Sequence, residues 1–275
     1  MEKKFQGYLL VSDMDGTLIN TEGKISEKNI NAINKFVEHG GIFTFATGRM
    51  LESVRKYLDL INIDIPVILY NGTKIHDFSK DETIYELFLE NKIISIIKQV
   101  KEHDSSLGIE IYCEENVYIF NCCRFTKRFA PERTDIHYDI PEMLWDKTWT
   151  KILILGEEDQ LNSLEENFTP IFGQVNLVRS GENYLEILPQ DTSKGHALEK
   201  LCEILNIDIS KTIAVGDNMN DYELLKKSGY GFCVANGNKK LLNEINYKCS
   251  SNDEHALEYI VKWAEENLTS KDSAC

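Results

Sequence analysis

Long apolar runs are missing from this 275-residue chain: no stretch approaches the 18 or so residues that a membrane span needs. The longest, such as Ile65 to Tyr70, have strand length. That argues against a transmembrane protein. Near the N-terminus, Ser12-Asp13 interrupts the apolar run beginning at Tyr8, so no signal-peptide core is expected there. Basic residues are also short, 30 Lys and Arg against 45 Asp and Glu, for a formal charge of −15. A surface of that sign repels phosphate backbones and anionic headgroups, which argues against nucleic-acid or membrane partners. A small anionic substrate stays open, because a bound divalent cation inverts the field locally. The seven cysteines are odd in number and include no CxxC pair, and Cys113 and Cys233 sit inside apolar runs as small hydrophobes would. A disulfide framework is thereby excluded, and a reducing cytoplasm is the expected location. Only five prolines occur, with no repeat, low-complexity tract or Pro/Gly-rich linker, so any two domains must be joined by short connections.

Hydrophobic residues make up 42% of the chain, enough for one or two globular cores at this length. Tyr8 to Ser12 reads as a buried strand. Ser26 then caps a helix whose apolar positions are Ile30, Ile33, Phe36 and Val37, and Gly40-Gly41 closes it. A strand from Ile42 to Ala46, a helix through Leu51, Val54 and Leu58, and a strand opened by Pro66 follow. This β-α-β-α-β order predicts a doubly wound parallel sheet. After Asn71-Gly72 the pattern changes to hairpin-like strand pairs, for instance Ile109 to Cys113 with Val117 to Asn121, interrupted by helices. From Ser193 the alternation resumes. The expected architecture is therefore an α/β core, residues 1–85 and 188–275, split by an α+β insert over 86–187, a size typical of an independent domain. The polar tail Thr269 to Cys275 is expected to fray.

Four polar constellations fall where strands of the core end: Asp13-Met14-Asp15-Gly16-Thr17, Thr47-Gly48-Arg49, Lys194-Gly195, and Gly216 to Asp221. In open parallel sheets that edge binds ligands. Two carboxylates one residue apart repel unless something positive lies between them, and hard oxygen donors without neighbouring His or Cys favour Mg²⁺. Taken singly, Asp-x-Asp-Gly is often a solvated turn, Thr-Gly-Arg a capping turn, and Lys-Gly carries no information. Their joint placement after successive strands is what points to one site.

Together, Asp13-Met14-Asp15-Gly16-Thr17-Leu18, Thr47-Gly48-Arg49, Lys194 and Gly216-Asp217-Asn218-Met219-Asn220-Asp221 resemble the four motifs of the haloacid dehalogenase superfamily. The order and the large insert are most similar to its Cof-type phosphatases with a class IIB cap. Asn71-Gly72, Leu185-Glu186-Ile187 and Val234 to Asn238 resemble further landmarks of that group, so the likeness covers nearly the whole chain. Two departures are Thr73 in place of Ala, and the absence of Gly in Asn252 to Ala256.

The resemblance implies a Mg²⁺-dependent phosphatase acting on a small phosphorylated metabolite, with Asp13 as nucleophile forming an aspartyl-phosphate and Asp15 as general acid and base. It implies metal ligation by the Asp13 carboxylate, the Asp15 carbonyl and the Asp217 carboxylate, with Asp221 orienting a metal-bound water. Lys194 and Thr47 would stabilise the transferred phosphoryl group. Met14, Gly16, Gly48, Arg49 and Asn220 would line the phosphate or substrate, Gly16 and Gly48 through close backbone approach. A phosphomutase-like phosphotransferase and a catalytically silent phosphometabolite-binding regulator are the alternatives, and oligomeric state is unreadable. Arg124, Lys127, Arg128 and Arg133 form a basic cluster in the insert, for which a solvated helix face is the expected explanation and contact with an anionic group of the substrate the alternative.

Overall fold

The computed structural model describes residues 3–129 and 133–268; the tail singled out above, Thr269 to Cys275, lies outside them. The chain forms two compact units, Met1–Tyr85 with Ser193–Cys275, and Glu86–Thr192. The second crossing therefore falls between residues 192 and 193 rather than 187 and 188.

The first unit contains β1 (Leu9–Ser12), α1 (Glu27–Glu38), β2 (Ile42–Phe45), α2 (Leu51–Leu58), β3 (Val67–Leu69), β4 (Lys74–Asp77) and β5 (Glu82–Glu86). The second contains α3 (Ile93–His103), β6 (Gly108–Cys113), β7 (Asn116–Asn121), β8 (Ile136–His137), β9 (Lys151–Leu155), α4 (Glu158–Phe172), β10 (Asn176–Gly181) and β11 (Tyr184–Leu188). The chain then returns through α5 (Lys194–Leu205), β12 (Thr212–Gly216), α6 (Tyr222–Lys227), β13 (Tyr230–Val234), α7 (Lys239–Glu244), β14 (Tyr247–Cys249) and α8 (Ala256–Asn267).

In the first unit a five-stranded, wholly parallel sheet runs β14-β13-β12-β1-β2. All four residues of β1 are buried, as its unbroken apolar run predicts for a strand covered on both faces. Leu9 and Val11 pack into a core with Ala197, Leu198 and Leu201 of α5 and Leu224 of α6. Leu10 points to the opposite face by the two-residue period of the strand. Ser26 caps α1, its hydroxyl accepting from the Asn29 N–H at 3.3 Å. The third expected strand behaves differently: β3 joins β2 through a single parallel bridge, Ala46 to Ile68, and otherwise pairs antiparallel with β4 in a three-stranded sheet with β5. The Thr44 hydroxyl donates to the Pro66 carbonyl at 2.8 Å, so a side chain serves where ladder pairing has yet to begin.

The second unit is a six-stranded sheet, β10-β11-β9-β6-β7-β8, antiparallel except at β7/β8. Ile109, Ile111, Ile152, Ile154, Leu185 and Ile187 meet the apolar faces of α3 and α4. The alternate residues carry charge. Glu110 is fully buried and receives both terminal nitrogens of Arg128, at 2.5 and 2.8 Å, and Lys151 pairs with Glu186 at 2.8 Å. The cluster Arg124, Lys127, Arg128 and Arg133 thus does not form one solvated helix face. Arg124 to Lys127 make a short 3₁₀ turn, after which Arg128 turns inward to Glu110, Arg124 pairs with Glu157 at 2.6 Å, and Arg133 pairs with Asp135. Among the described residues, no helix is long and apolar enough to cross a membrane.

Candidate active site

Because β1, β2 and β12 are parallel, the residues that follow them emerge at one edge of the sheet. Asp13 follows β1, and its N–H donates to the Val215 carbonyl of β12 at 2.9 Å. Lys194 is the first residue of α5, whose N-terminus is capped by the Ser193 hydroxyl accepting from the His196 N–H at 3.1 Å. Its buried ammonium donates to Asp13 Oδ1 and to Asp221 Oδ1, each at 2.6 Å. The other Asp221 oxygen accepts from the N–H groups of Asp217 and Asn218, at 3.0 and 3.1 Å. Asp221 therefore fixes both the lysine and the 217–218 loop.

Asp13, Asp217 and Asp221 bring ligating oxygens within 4.8 Å of one another. Three carboxylates face one lysine, which leaves negative charge uncompensated in a desolvated place. Burial raises the Asp13 carboxyl well above the usual carboxylate range; Lys194 opposes this, while Asp221, Asp217 and Asp15 add to it. Asp217 is pushed up to about 7 by burial and by Asp221, against the pull of Lys194. Lys194 is disfavoured as a cation by burial, yet Asp13 and Asp221 hold it above its ordinary value. Such a set is one that a bound cation would neutralise. The donor chemistry fits a hard ion, since the cluster is made of carboxylate oxygens alone. Gly16, at φ +77°, fits a crowded cradle: a Cβ there would stand 2.7 Å from Asp217 Oδ2. With both Asp221 oxygens already engaged, Asp13 and Asp217 are the carboxylates left to hold an ion.

The remaining sequence candidates are placed as follows. Met14 is fully buried, so only its backbone can face a ligand; its carbonyl accepts from the Leu18 and Ile19 N–H groups at 3.1 and 2.8 Å. Asp15 is the outlier, with its side chain 61% exposed and held by Arg49 in a two-point ion pair, Nε to Oδ2 at 2.7 Å and the terminal nitrogen to Oδ1 at 2.6 Å. Arg49 also stacks over the Tyr57 ring, 5.0 Å from its centroid. Arg49, expected to line the phosphate or substrate, thus has a carboxylate partner in Asp15. Thr47 is buried and its hydroxyl oxygen accepts from the Arg49 N–H at 3.1 Å, so its own O–H remains to donate. Gly48 lies against Asn71, whose amide a Cβ would approach to 3.0 Å. Asn220 donates to Asn71 Oδ1 at 3.0 Å.

Some supporting residues were passed over in the sequence. Thr17 donates to Asp217 Oδ1 at 3.4 Å, and Asn236 donates to the Gly16 carbonyl at 2.8 Å. Asn71 and Asn236 both belong to stretches noted only as landmarks, and an Asn beside a Gly after a strand is the signal that could have marked them.

A parallel α/β sheet with a lysine bridging acidic residues at its C-terminal edge, and a second α+β unit inserted in the chain, defines the class of two-unit α/β hydrolases. The family model for haloacid dehalogenase-like hydrolases matches residues 10–261, and the chain belongs to that family. It is therefore an enzyme, a hydrolase. It is 28% identical over 246 residues to an HMP-PP phosphatase of Klebsiella pneumoniae, covering 86% of this chain and 87% of that one. A haloacid dehalogenase-like hydrolase from Bacteroides thetaiotaomicron superposes with a TM-score of 0.77 at 25% identity, over 94% of this chain and 99% of the other. A sugar phosphatase of subclass IIB superposes at a TM-score of 0.80 with 18% identity, over 93% and 98% of the two chains, which speaks to the fold.

Proposed function

We propose that the protein is a Mg²⁺-dependent phosphatase that hydrolyses a small phosphorylated metabolite through an aspartyl-phosphate on Asp13. One observation carries this reading: Lys194, buried, joins Asp13 to Asp221 at 2.6 Å on each side, with Asp217 completing a carboxylate group around it. The phosphatase names of relatives support the same reaction class.

In this scheme Asp13 and Asp217, with the Asp15 carbonyl, would hold the Mg²⁺, which would supply positive charge against the carboxylates and the phosphoryl group. Asp13 attacks phosphorus in line, forming its P–O bond as the ester P–O bond breaks. Lys194 keeps the attacking carboxylate oriented and offsets charge on the phosphoryl oxygens, while Thr47 donates its free O–H to one of them. Asp15 gives a proton to the departing alkoxide and later takes one from the water that attacks the aspartyl-phosphate, releasing inorganic phosphate and restoring Asp13. To do so it must exchange its pair with Arg49 for the substrate oxygen. The inserted unit, 86–192, is the part assigned to substrate choice.

The test is phosphate release from a panel of phosphorylated sugars, nucleotides and other small esters, with Mg²⁺ and with EDTA. Release that depends on Mg²⁺ supports the reading; release at full rate in EDTA, or from no compound, overturns it.

A further inference from the structure

Resting on the phosphatase reading, we propose that Asn71 is a fourth side chain of the phosphate site, holding Asn220 with its carbonyl and donating its Nδ2–H to a phosphoryl oxygen. The turn it occupies is made at a conformational cost: Tyr70 and Asn71 are successive non-glycine residues at φ +51° and +56°. Asn tolerates that region better than most side chains, and a buried aromatic before it does not. What the turn achieves is convergence. The Asn71 N–H donates to the Thr47 carbonyl at 2.9 Å and the Tyr70 N–H to the Arg49 carbonyl at 3.1 Å, fixing the Thr47-Gly48-Arg49 loop. Gly72, at φ +100°, lies so close to the start of α5 that a Cβ would stand 2.2 Å from the Ser193 carbonyl oxygen, one residue from Lys194. Asn71 Oδ1 accepts from Asn220 at 3.0 Å. A single residue thus touches or adjoins three of the four motif loops.

Its amide is also incomplete. Asn71 is 1% exposed, and its Nδ2 has no hydrogen-bond partner; nor has the buried Asn220 Oδ1. A buried amide donor left unpaired is costly in a finished structure. Nδ2 lies 3.0 Å from where a Gly48 Cβ would stand, so it faces the glycine of the Thr47-Gly48-Arg49 loop. An anion with several acceptor oxygens, seated against Thr47, Gly48 and Lys194, supplies the missing partner. Phosphate is the group that the neighbouring chemistry already selects.

Two substitutions separate the parts of this role. Asn71→Asp keeps the shape and the oxygen that holds Asn220 but replaces the spare donor with an acceptor. Asn71→Gly keeps the left-handed backbone and removes the amide altogether. With Mg²⁺ present, calorimetric titration with inorganic phosphate is compared among wild type and both variants, alongside KM and kcat for p-nitrophenyl phosphate and the melting temperature. Both variants are expected to bind phosphate about ten- to a hundredfold more weakly, the loss of one charge-assisted hydrogen bond, and to raise KM in step, with folding retained. Phosphate affinity within about twofold of wild type in Asn71→Asp overturns the donor role, since a lost charge-assisted bond costs more than that. Lower melting temperatures with unchanged phosphate affinity in both variants reduce Asn71 to a structural residue and overturn the proposal. A wild type that binds phosphate but hydrolyses no ester defeats the phosphatase reading while the affinities still decide the role of Asn71; a wild type that binds no phosphate overturns the proposal outright.

Discussion

Asp217→Asn should stabilise the metal-free protein, although it removes a residue assigned to the site. The Asp217 carboxyl is pushed up to about 7 in the folded chain by burial and Asp221, against an ordinary unfolded value of about 3.9. A carboxyl raised in this way leaves stability intact below the unfolded value. Between about pH 4 and pH 7 the unfolded chain ionises and the folded chain does not, so stability falls across that window and stays low above it. About three pH units at roughly 1.4 kcal/mol each give about 4 kcal/mol. Asp217 is only partly buried, so solvent screening takes away part of the gain, leaving about 2–4 kcal/mol at about pH 7.5. At about 2–4 °C per kcal/mol for a chain of this size, the melting temperature in EDTA should rise by about 4–16 °C. The assay is thermal unfolding of wild type and variant in EDTA at about pH 5 and pH 7.5, on either side of the folded-state titration, then with Mg²⁺. The advantage should shrink at the lower pH, and Mg²⁺ should stabilise wild type far more than the variant. A variant no more stable than wild type at the higher pH, or an advantage that does not change with pH, refutes the reasoning.

Three further outcomes follow from the same geometry. Asp15→Asn should cut turnover strongly on an alkyl phosphate and less on p-nitrophenyl phosphate, whose leaving group needs little protonation; equal losses would remove Asp15 as the general acid. Arg49→Ala frees Asp15 from the two-point pair that must open before it can donate, and should leave kcat on alkyl phosphates no lower than wild type with inorganic phosphate binding unchanged; a large loss of phosphate affinity would instead make Arg49 a substrate contact. In the inserted unit, Arg128→Ala leaves the fully buried Glu110 without its counter-charge, held only by the Tyr112 hydroxyl, and should cost about 3–5 kcal/mol in denaturant unfolding, largely recovered in the double variant with Glu110→Leu; a loss below about 1 kcal/mol would mean the pair is solvated after all.

The site was legible where its chemistry is local. Asp13, Thr47, Lys194 and Asp217 each end a strand or begin a helix, so alternation of apolar and polar runs places them at one sheet edge without knowledge of any contact. Partners far apart in sequence were not legible. Nothing in Arg128 says that it reaches Glu110, 18 positions earlier on the charged face of β6, and its basic neighbours made an exposed surface the simpler reading. The two-point pair of Arg49 with Asp15 and the hold of Asn71 on Asn220, 149 positions away, are of the same kind. The strand after Pro66 was visible as a strand, but its pairing was not, because an apolar run of that length fits a parallel or an antiparallel neighbour equally well.

The most direct test of the account is acid quenching of the enzyme during turnover with Mg²⁺, followed by mass spectrometry of the peptide that contains Asp13. A peptide heavier by one phosphoryl group, absent from Asp13→Asn together with phosphate release, is the predicted result. Steady phosphate release with no modified peptide, and activity retained in Asp13→Asn, would contradict it.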